Sequence, residues 1–187
     1  MVTQTSATEQ PAERATEQGP GRPRDRRIDE AVLAATRELL LDIGYAELSL
    51  TAIADRAGTT RPALYRRWPS LDHLVHEAAF PAPLTIPLPR TGDAVADVHT
   101  LVVGALEAFA HPVARAAAPG LVAAITADPS LHLALLERFS EALGGIEQPL
   151  LDLIAGAALF ALLLHPDDLD DNWIDRVTHL LTEGISS

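Results

Sequence analysis

The sequence predicts an all-α fold in two helical parts, and three observations carry that reading. Ala and Leu supply 32 and 29 of the 187 residues while aromatic residues make up only 4%, a balance that favours helix over sheet. From residue 28 onward, apolar residues recur at intervals of three and four, and no stretch reads as a strand. Pro81, Pro83, Pro87 and Pro89 forbid helix between two regions that otherwise read as helical, which sets a boundary there. The predicted parts are an arm at 1–25, an N-terminal domain at 26–80 and a C-terminal domain at 81–187.

Taken in order, residues 1–20 are polar, without an apolar run, and read as disordered. The basic run Gly21, Arg22, Pro23, Arg24, Asp25, Arg26, Arg27 extends this flexible arm. Ile28, Val32, Ala35, Leu39 and Ile43 then mark one face of a first helix, which Gly44 ends. A second helix fits Thr51–Ala57, capped by Ser49 and closed by a turn at Gly58. The third starts from Thr60 as N-cap, has Arg61 and Pro62 in its first turn, buries Ala63, Leu64 and Trp68, and ends near Trp68. A fourth helix runs from Leu71 to about Phe80.

Beyond the proline-rich boundary, Asp93–Ala110 carries Val98, Leu101, Val102, Ala105 and Phe109 on one face, and His111 and Pro112 interrupt it. Separate helices are predicted at Val113–Ala118, Pro119–Ala127 and Pro129–Leu143, each with a proline near its first turn. An almost wholly apolar helix follows from Pro149 to Leu164. The last helix, capped by Asp170 or Asp171, carries Trp173, Ile174, Val177, Leu180 and Leu181.

The net charge of −12 argues against a nucleic-acid partner only until its distribution is considered. Residues 22–80 hold nine Arg against nine acids, whereas residues 81–187 hold four Arg against fourteen, so the acidic excess belongs to one end. The absence of Cys excludes disulfides, thiolate metal sites and a Cys nucleophile, and points to a reducing cytoplasm. No export signal is read at the start, and the longest apolar stretch, Leu153–Leu164, is shorter than the roughly 20 residues that span a bilayer. No membrane association is therefore expected.

Two short helices around a Gly-centred turn make a helix-turn-helix. The second of them presents Arg61, Tyr65, Arg66 and Arg67 away from its apolar side. Arg can fork onto guanine O6 and N7, and Thr and Tyr hydroxyls can reach phosphates, so this is chemistry for duplex DNA. The plainer alternative is a solvated, Arg-rich face of an ordinary helical protein.

The stretch from Ile28 to Leu74 resembles the DNA-binding domain of the tetracycline-repressor (TetR) family of bacterial regulators. The resemblance lies in Gly44-Tyr45, Ser49, Ile53-Ala54, Ala57-Gly58, Leu64-Tyr65 and Trp68-Pro69-Ser70, in order and in register. It implies that Tyr65 and the polar residues around Thr60, Arg61 and Arg66 touch DNA. The full set expected at the duplex is Arg22, Arg24, Ser49, Thr51, Thr59, Thr60, Arg61, Pro62, Tyr65 and Arg66. Family members usually place a Lys where this chain has Leu71, which removes one phosphate contact.

The apolar helix must be buried on more than one face, and the resemblance supplies a second copy, because the last two helices of each subunit usually form a four-helix interface. Leu153, Ala157, Phe160, Leu163, Trp173, Val177 and Leu180 are the expected contacts, and a two-fold dimer suits a palindromic operator. A core helix in a monomer is the alternative. A small apolar effector is expected among Val102, Leu106, Phe109, Thr126, His132, Leu136, Phe139 and Phe160, since the C-terminal half has few fixed positive charges and few aromatics.

His73, His76 and Glu77 stand at helical spacing but lack the further ligands a metal needs, so neither metal nor cofactor is expected. There is no G-x-S-x-G, phosphate-binding glycine loop, dinucleotide fingerprint or H-E-x-x-H. The reading is therefore a non-enzymatic DNA-binding regulator, a repressor released by a ligand. An activating or effector-independent regulator and a helical carrier or enzyme are the alternatives.

Overall fold

The computed structural model describes residues 26–81, 91–128, 130, 131, 133 and 146–185. The expected arm at 1–25, most of the proline-rich boundary and most of the helix expected at Pro129–Leu143 lie outside the described residues. Among the described residues the ordered elements are all helical.

Helix α1 spans Arg26–Ile43, so Arg26 and Arg27, assigned to the arm from their basic run, form its first turn. Asp29 in that turn suits the positive end of the helix. Gly44 ends α1 at φ +77°, a left-handed conformation that glycine adopts without steric cost. Helix α2 covers Leu50–Arg56, and its Ser49 cap accepts a hydrogen bond from the Ala52 amide. Gly58, at φ +64°, turns the chain into α3, Arg61–Tyr65, which is shorter than its predicted extent to Trp68. Trp68 still closes over the core from the turn that follows. Helix α4, Leu71–Ala79, is capped by the Ser70 hydroxyl.

Helix α5 spans Ala94–Ala110, with Asp93 accepting from the Val95 and Ala96 amides. It meets α6, Pro112–Ala127, at a 91° bend. Two helices were expected in this second stretch, divided at Pro119, yet α6 runs through that proline without a break. Ala114, Ala117, Ala118 and Leu121 form one buried stripe at helical spacing, while Arg115 and Pro119 face solvent. The carbonyl that the missing Pro119 N–H would have satisfied thus lies on the wet side, and packing of the stripe outweighs the lost bond. Helix α7 is Gln148–Leu164. A 3-10 turn at Pro166–Asp168 leads to α8, Asp171–Ile185, whose Trp173 amide donates to the Asp170 carboxylate.

Two apolar cores result. The first joins Val32, Leu39, Leu40, Ile53, Leu64, Trp68, Leu74 and Val75 to Val113, Ala114, Ala117 and Leu121 of α6. The N-terminal helices therefore close only with a helix from beyond the expected boundary. In the second, Val98, Leu101, Val102 and Ala105 of α5 meet Ile154 and Ala158 of α7, with Trp173, Ile174, Val177 and Leu181 of α8 packed around them. Phe109 touches both cores and lies edge-on to Phe80, ring centroids 5.5 Å apart. No single described helix is long and apolar enough to cross a membrane.

Candidate nucleic-acid interface

Helix α3 is held by its inner side and presents its outer one. Ala63 and Leu64 are buried, whereas Thr60, Arg61, Pro62, Tyr65 and Arg66 are exposed. The reason is local: Pro62 near the first turn requires no hydrogen-bond partner, and the Leu64 carbonyl accepts from both Arg67 and Trp68 amides, which folds Trp68 back onto the core. Thr60 occupies the N-cap backbone position, but its side chain makes no capping bond. Ser49, by contrast, uses its hydroxyl to cap α2. Thr51 is exposed at the start of α2, and Thr59 is half-buried in the turn. Arg22 and Arg24 lie outside the described residues.

The arginines of this region divide into those engaged in the fold and those that are not. Arg37 Nε donates to the Ala78 carbonyl at 2.8 Å, tying α1 to α4. Arg56 pairs with Glu38 at 3.0 Å on an exposed surface, so it lends α2 little stability. Arg67, expected on the outward face with Arg66, turns inward instead: it forms an ion pair with Asp29 of α1 and donates to the Ala63 carbonyl. The α3 helix ends at Tyr65, and two residues beyond it the Arg67 side chain points across the domain rather than away from it. Among the described residues Arg61 and Arg66 make no ion pair, and the Arg61 guanidinium stands 6.0 Å from the Tyr65 ring centroid.

A second junction links this surface to α6. The Tyr45 hydroxyl, in the turn after α1, donates to the Asp72 carboxylate at the start of α4. Its ring lies against Gly120, where a Cβ would come within 2.1 Å of a ring carbon. Partial burial and the Asp72 carboxylate together push the Tyr45 phenol well above its ordinary value.

The trio His73, His76 and Glu77 does not converge. His73 Nδ1 is 2.9 Å from the Ser70 hydroxyl, His76 is buried against Phe80, and Glu77 accepts from Trp68 Nε1 at 2.9 Å.

Residues expected around an effector are only partly brought together. Val102 is buried in the second core with Leu106 and Phe109 half-buried beside it. Phe160 is 64% exposed and so does not wall that region, and Thr126 is exposed, its hydroxyl donating back to the Ala123 carbonyl. On a helix with apolar residues all round, spacing could not tell the Phe160 side from the core side. His132, Leu136 and Phe139 lie outside the described residues for their side chains.

The residues expected at a two-fold interface fall into two sets. Leu153, Phe160, Leu163 and Leu180 are exposed. Ala157, Trp173 and Val177 are half-buried, the latter two against the second core. Leu164, at 55% exposure, extends the exposed set and was overlooked because it ends the apolar run.

Residues 32–78 match the family described as bacterial regulatory proteins, tetR family. The chain is 26% identical to the HTH-type transcriptional regulator YdeS of Bacillus subtilis, over 89% of this chain and 94% of that protein. It is 39% identical over 69 residues to an HTH-type transcriptional regulator of Mycobacterium bovis, a match covering 37% of this chain and 32% of that one. In fold it is similar to a TetR transcriptional regulator from Rhodococcus sp. RHA1, with TM-score 0.61 and 20% identity, over 88% of this chain and 100% of that one.

Proposed function

We propose that the chain, whose residues 32–78 match the tetR family of bacterial regulatory proteins, is a DNA-binding transcriptional regulator, a homodimeric repressor released from a palindromic operator by a small apolar ligand. One observation carries the reading: the outer face of α3 holds Thr60, Arg61, Pro62, Tyr65 and Arg66 exposed, while the neighbouring arginines are paired within the fold.

In this reading α3 enters the major groove, Arg61 meets base edges, and Tyr65, Arg66, Ser49, Thr51 and Thr59 meet the backbone. Arg22 and Arg24 of the arm lie along the minor groove. The division into an arm at 1–25, a DNA-binding domain at 26–80 and an effector and dimerisation domain at 81–187 is part of the proposal. Two copies pair through Leu153, Ala157, Phe160, Leu163 and Leu180, setting two α3 helices about 34 Å apart, one turn of the duplex. The regulator works in the cytoplasm, and it is not an enzyme.

Release follows from Phe109. A small apolar molecule beside Val102, Leu106 and Phe109 would shift the Phe109 ring, which lies against Phe80 where α4 ends. Coupling of about 1 to 3 kcal/mol between the two sites is enough to change operator occupancy.

The test is binding of the full chain to its own promoter DNA by mobility shift. Arg61→Ala, Tyr65→Phe and Arg66→Ala each weaken operator binding without changing helicity or thermal midpoint. The logarithm of affinity falls against the logarithm of salt with a slope on the order of −4 to −7 for the dimer, the absent Lys at Leu71 favouring the shallow end. Full affinity in all three variants overturns the interface. Promoter assays with a panel of apolar, cationic and CoA-linked compounds test the release, and repression untouched by every compound overturns that part.

A further inference from the structure

We propose that Arg61 reads a guanine in each half-site, and that no adenine in the major groove is recognised by a side-chain amide from residues 26–81. The inference rests on the operator binding proposed above and deepens it from a surface to a base preference.

The argument is one of chemical elimination. In the major groove a side chain with two suitably placed hydrogen-bonding groups distinguishes a base. A guanidinium forks onto guanine N7 and O6, an amide matches adenine N7 and N6, and a carboxylate accepts from cytosine N4. Residues 26–81 contain no Asn, no Gln and no Lys. Helix α3 contains no acid, and the exposed polar side chains on α2, α3 and their flanks are Glu47, Ser49, Thr51, Asp55, Arg56, Thr60, Arg61, Tyr65 and Arg66, of which Arg56 is paired with Glu38 and Asp55 lies at the far end of α2. Within this set only the arginines can form a two-point contact with a base, and that contact selects guanine.

Arg61 and Arg66 differ in position. Arg61 is the first residue of α3, the end of a recognition helix that meets base edges, and its guanidinium is steadied 6.0 Å from the Tyr65 ring. Arg66 occupies the C-cap position, past the last helical residue, where the chain turns back toward the core at Trp68. That geometry suits a phosphate, which needs charge but carries no sequence information. Thr60, whose hydroxyl does not cap α3, contributes a single-point contact or packs its methyl on a thymine beside the guanine.

The experiment uses the full chain. Duplexes enriched from a random library define the half-site, and each guanine in it is then replaced by 7-deazaguanine, which lacks N7. At one position per half-site this replacement weakens wild-type binding about fivefold or more, whereas Arg61→Ala binds the two duplexes to within about twofold. Arg66→Ala loses affinity on every duplex yet keeps the sensitivity to N7. An enriched half-site without guanine, or a wild type indifferent to N7 at every guanine, overturns the assignment while leaving the regulator intact. A library from which nothing is enriched overturns sequence-specific operator binding itself, and this inference with it.

Discussion

The two cores of this chain are finished to different degrees. Around the first, polar groups far apart in sequence meet their partners: Arg37 reaches the Ala78 carbonyl, Arg67 reaches Asp29, and the Tyr45 hydroxyl reaches Asp72. Around the second, His99 Nε2 and the Asp175 carboxylate stand 3.7 Å apart on an exposed surface. There Thr178 Oγ1 is buried without a hydrogen-bond partner among the described residues, and Leu153, Phe160, Leu163, Leu164 and Leu180 face outward. In the proposed reading, the body that holds the DNA-reading helix in one pose is closed by its own chain. The body that leaves a stripe of large apolar side chains uncovered is the half that a second copy would complete.

The sharpest way to break this contrast is Phe160→Arg. Because Phe160 is 64% exposed, the single chain keeps its helicity, but the charge has no partner in a two-fold interface. Sedimentation should show monomers at concentrations where wild type is dimeric, and operator affinity should fall on the order of a hundredfold or more, since each half-site then binds alone.

The glycines of the two bodies offer a second comparison. Gly120→Ala drives a methyl into the Tyr45 ring and should cost about 1 to 3 kcal/mol in urea unfolding. Gly156, on α7, has open space at its Cβ position, so Gly156→Ala should gain up to about 1 kcal/mol of helix stability in a monomeric Phe160→Arg background. The opposite order of stabilities would show that the junction between Tyr45 and α6 is loose.

Adjacent arginines separate holding from reading. Arg67→Ala removes the contact to Asp29 and should lower stability by about 1 to 3 kcal/mol, with operator affinity following the folded fraction. Arg66→Ala should leave the unfolding midpoint within about 0.5 kcal/mol and reduce the steepness of the salt dependence by about 2 for the dimer. Equal effects of the two variants on unfolding would erase the distinction drawn between them.

The smallest effect is in alkali. The chain has no Lys and no Cys, which leaves the half-buried Tyr45 phenol in clear view there. Burial and Asp72 raise the Tyr45 phenol in the folded chain above its ordinary value of 10.0. The unfolded chain therefore ionises first, and the contribution is fully present below about pH 10 and is lost as pH rises beyond it. Urea midpoints between pH 9 and pH 11 should fall less steeply in Tyr45→Phe than in wild type.

Much of this architecture was legible in residue order because its signals are local. The spacing of Val32, Ala35 and Leu39 marks the buried face of α1, Ser49 and Ser70 sit where helix amides lack partners, and Gly44 and Gly58 stand where the backbone turns left-handed. The outward set Thr60, Arg61, Tyr65 and Arg66 follows from the same period, since Ala63 and Leu64 must point inward. Tertiary structure decided what depends on distant partners. Arg67 turns from the outward face to Asp29, 38 residues earlier in the chain. Helix α6 continues through Pro119 because its alanine stripe packs on the N-terminal core, and Phe160 is free of the core because α5 meets the opposite side of α7, at Ile154 and Ala158. Periodicity reports which residues share a face, whereas the surface against which that face lies is set by contacts that the folded chain alone brings together.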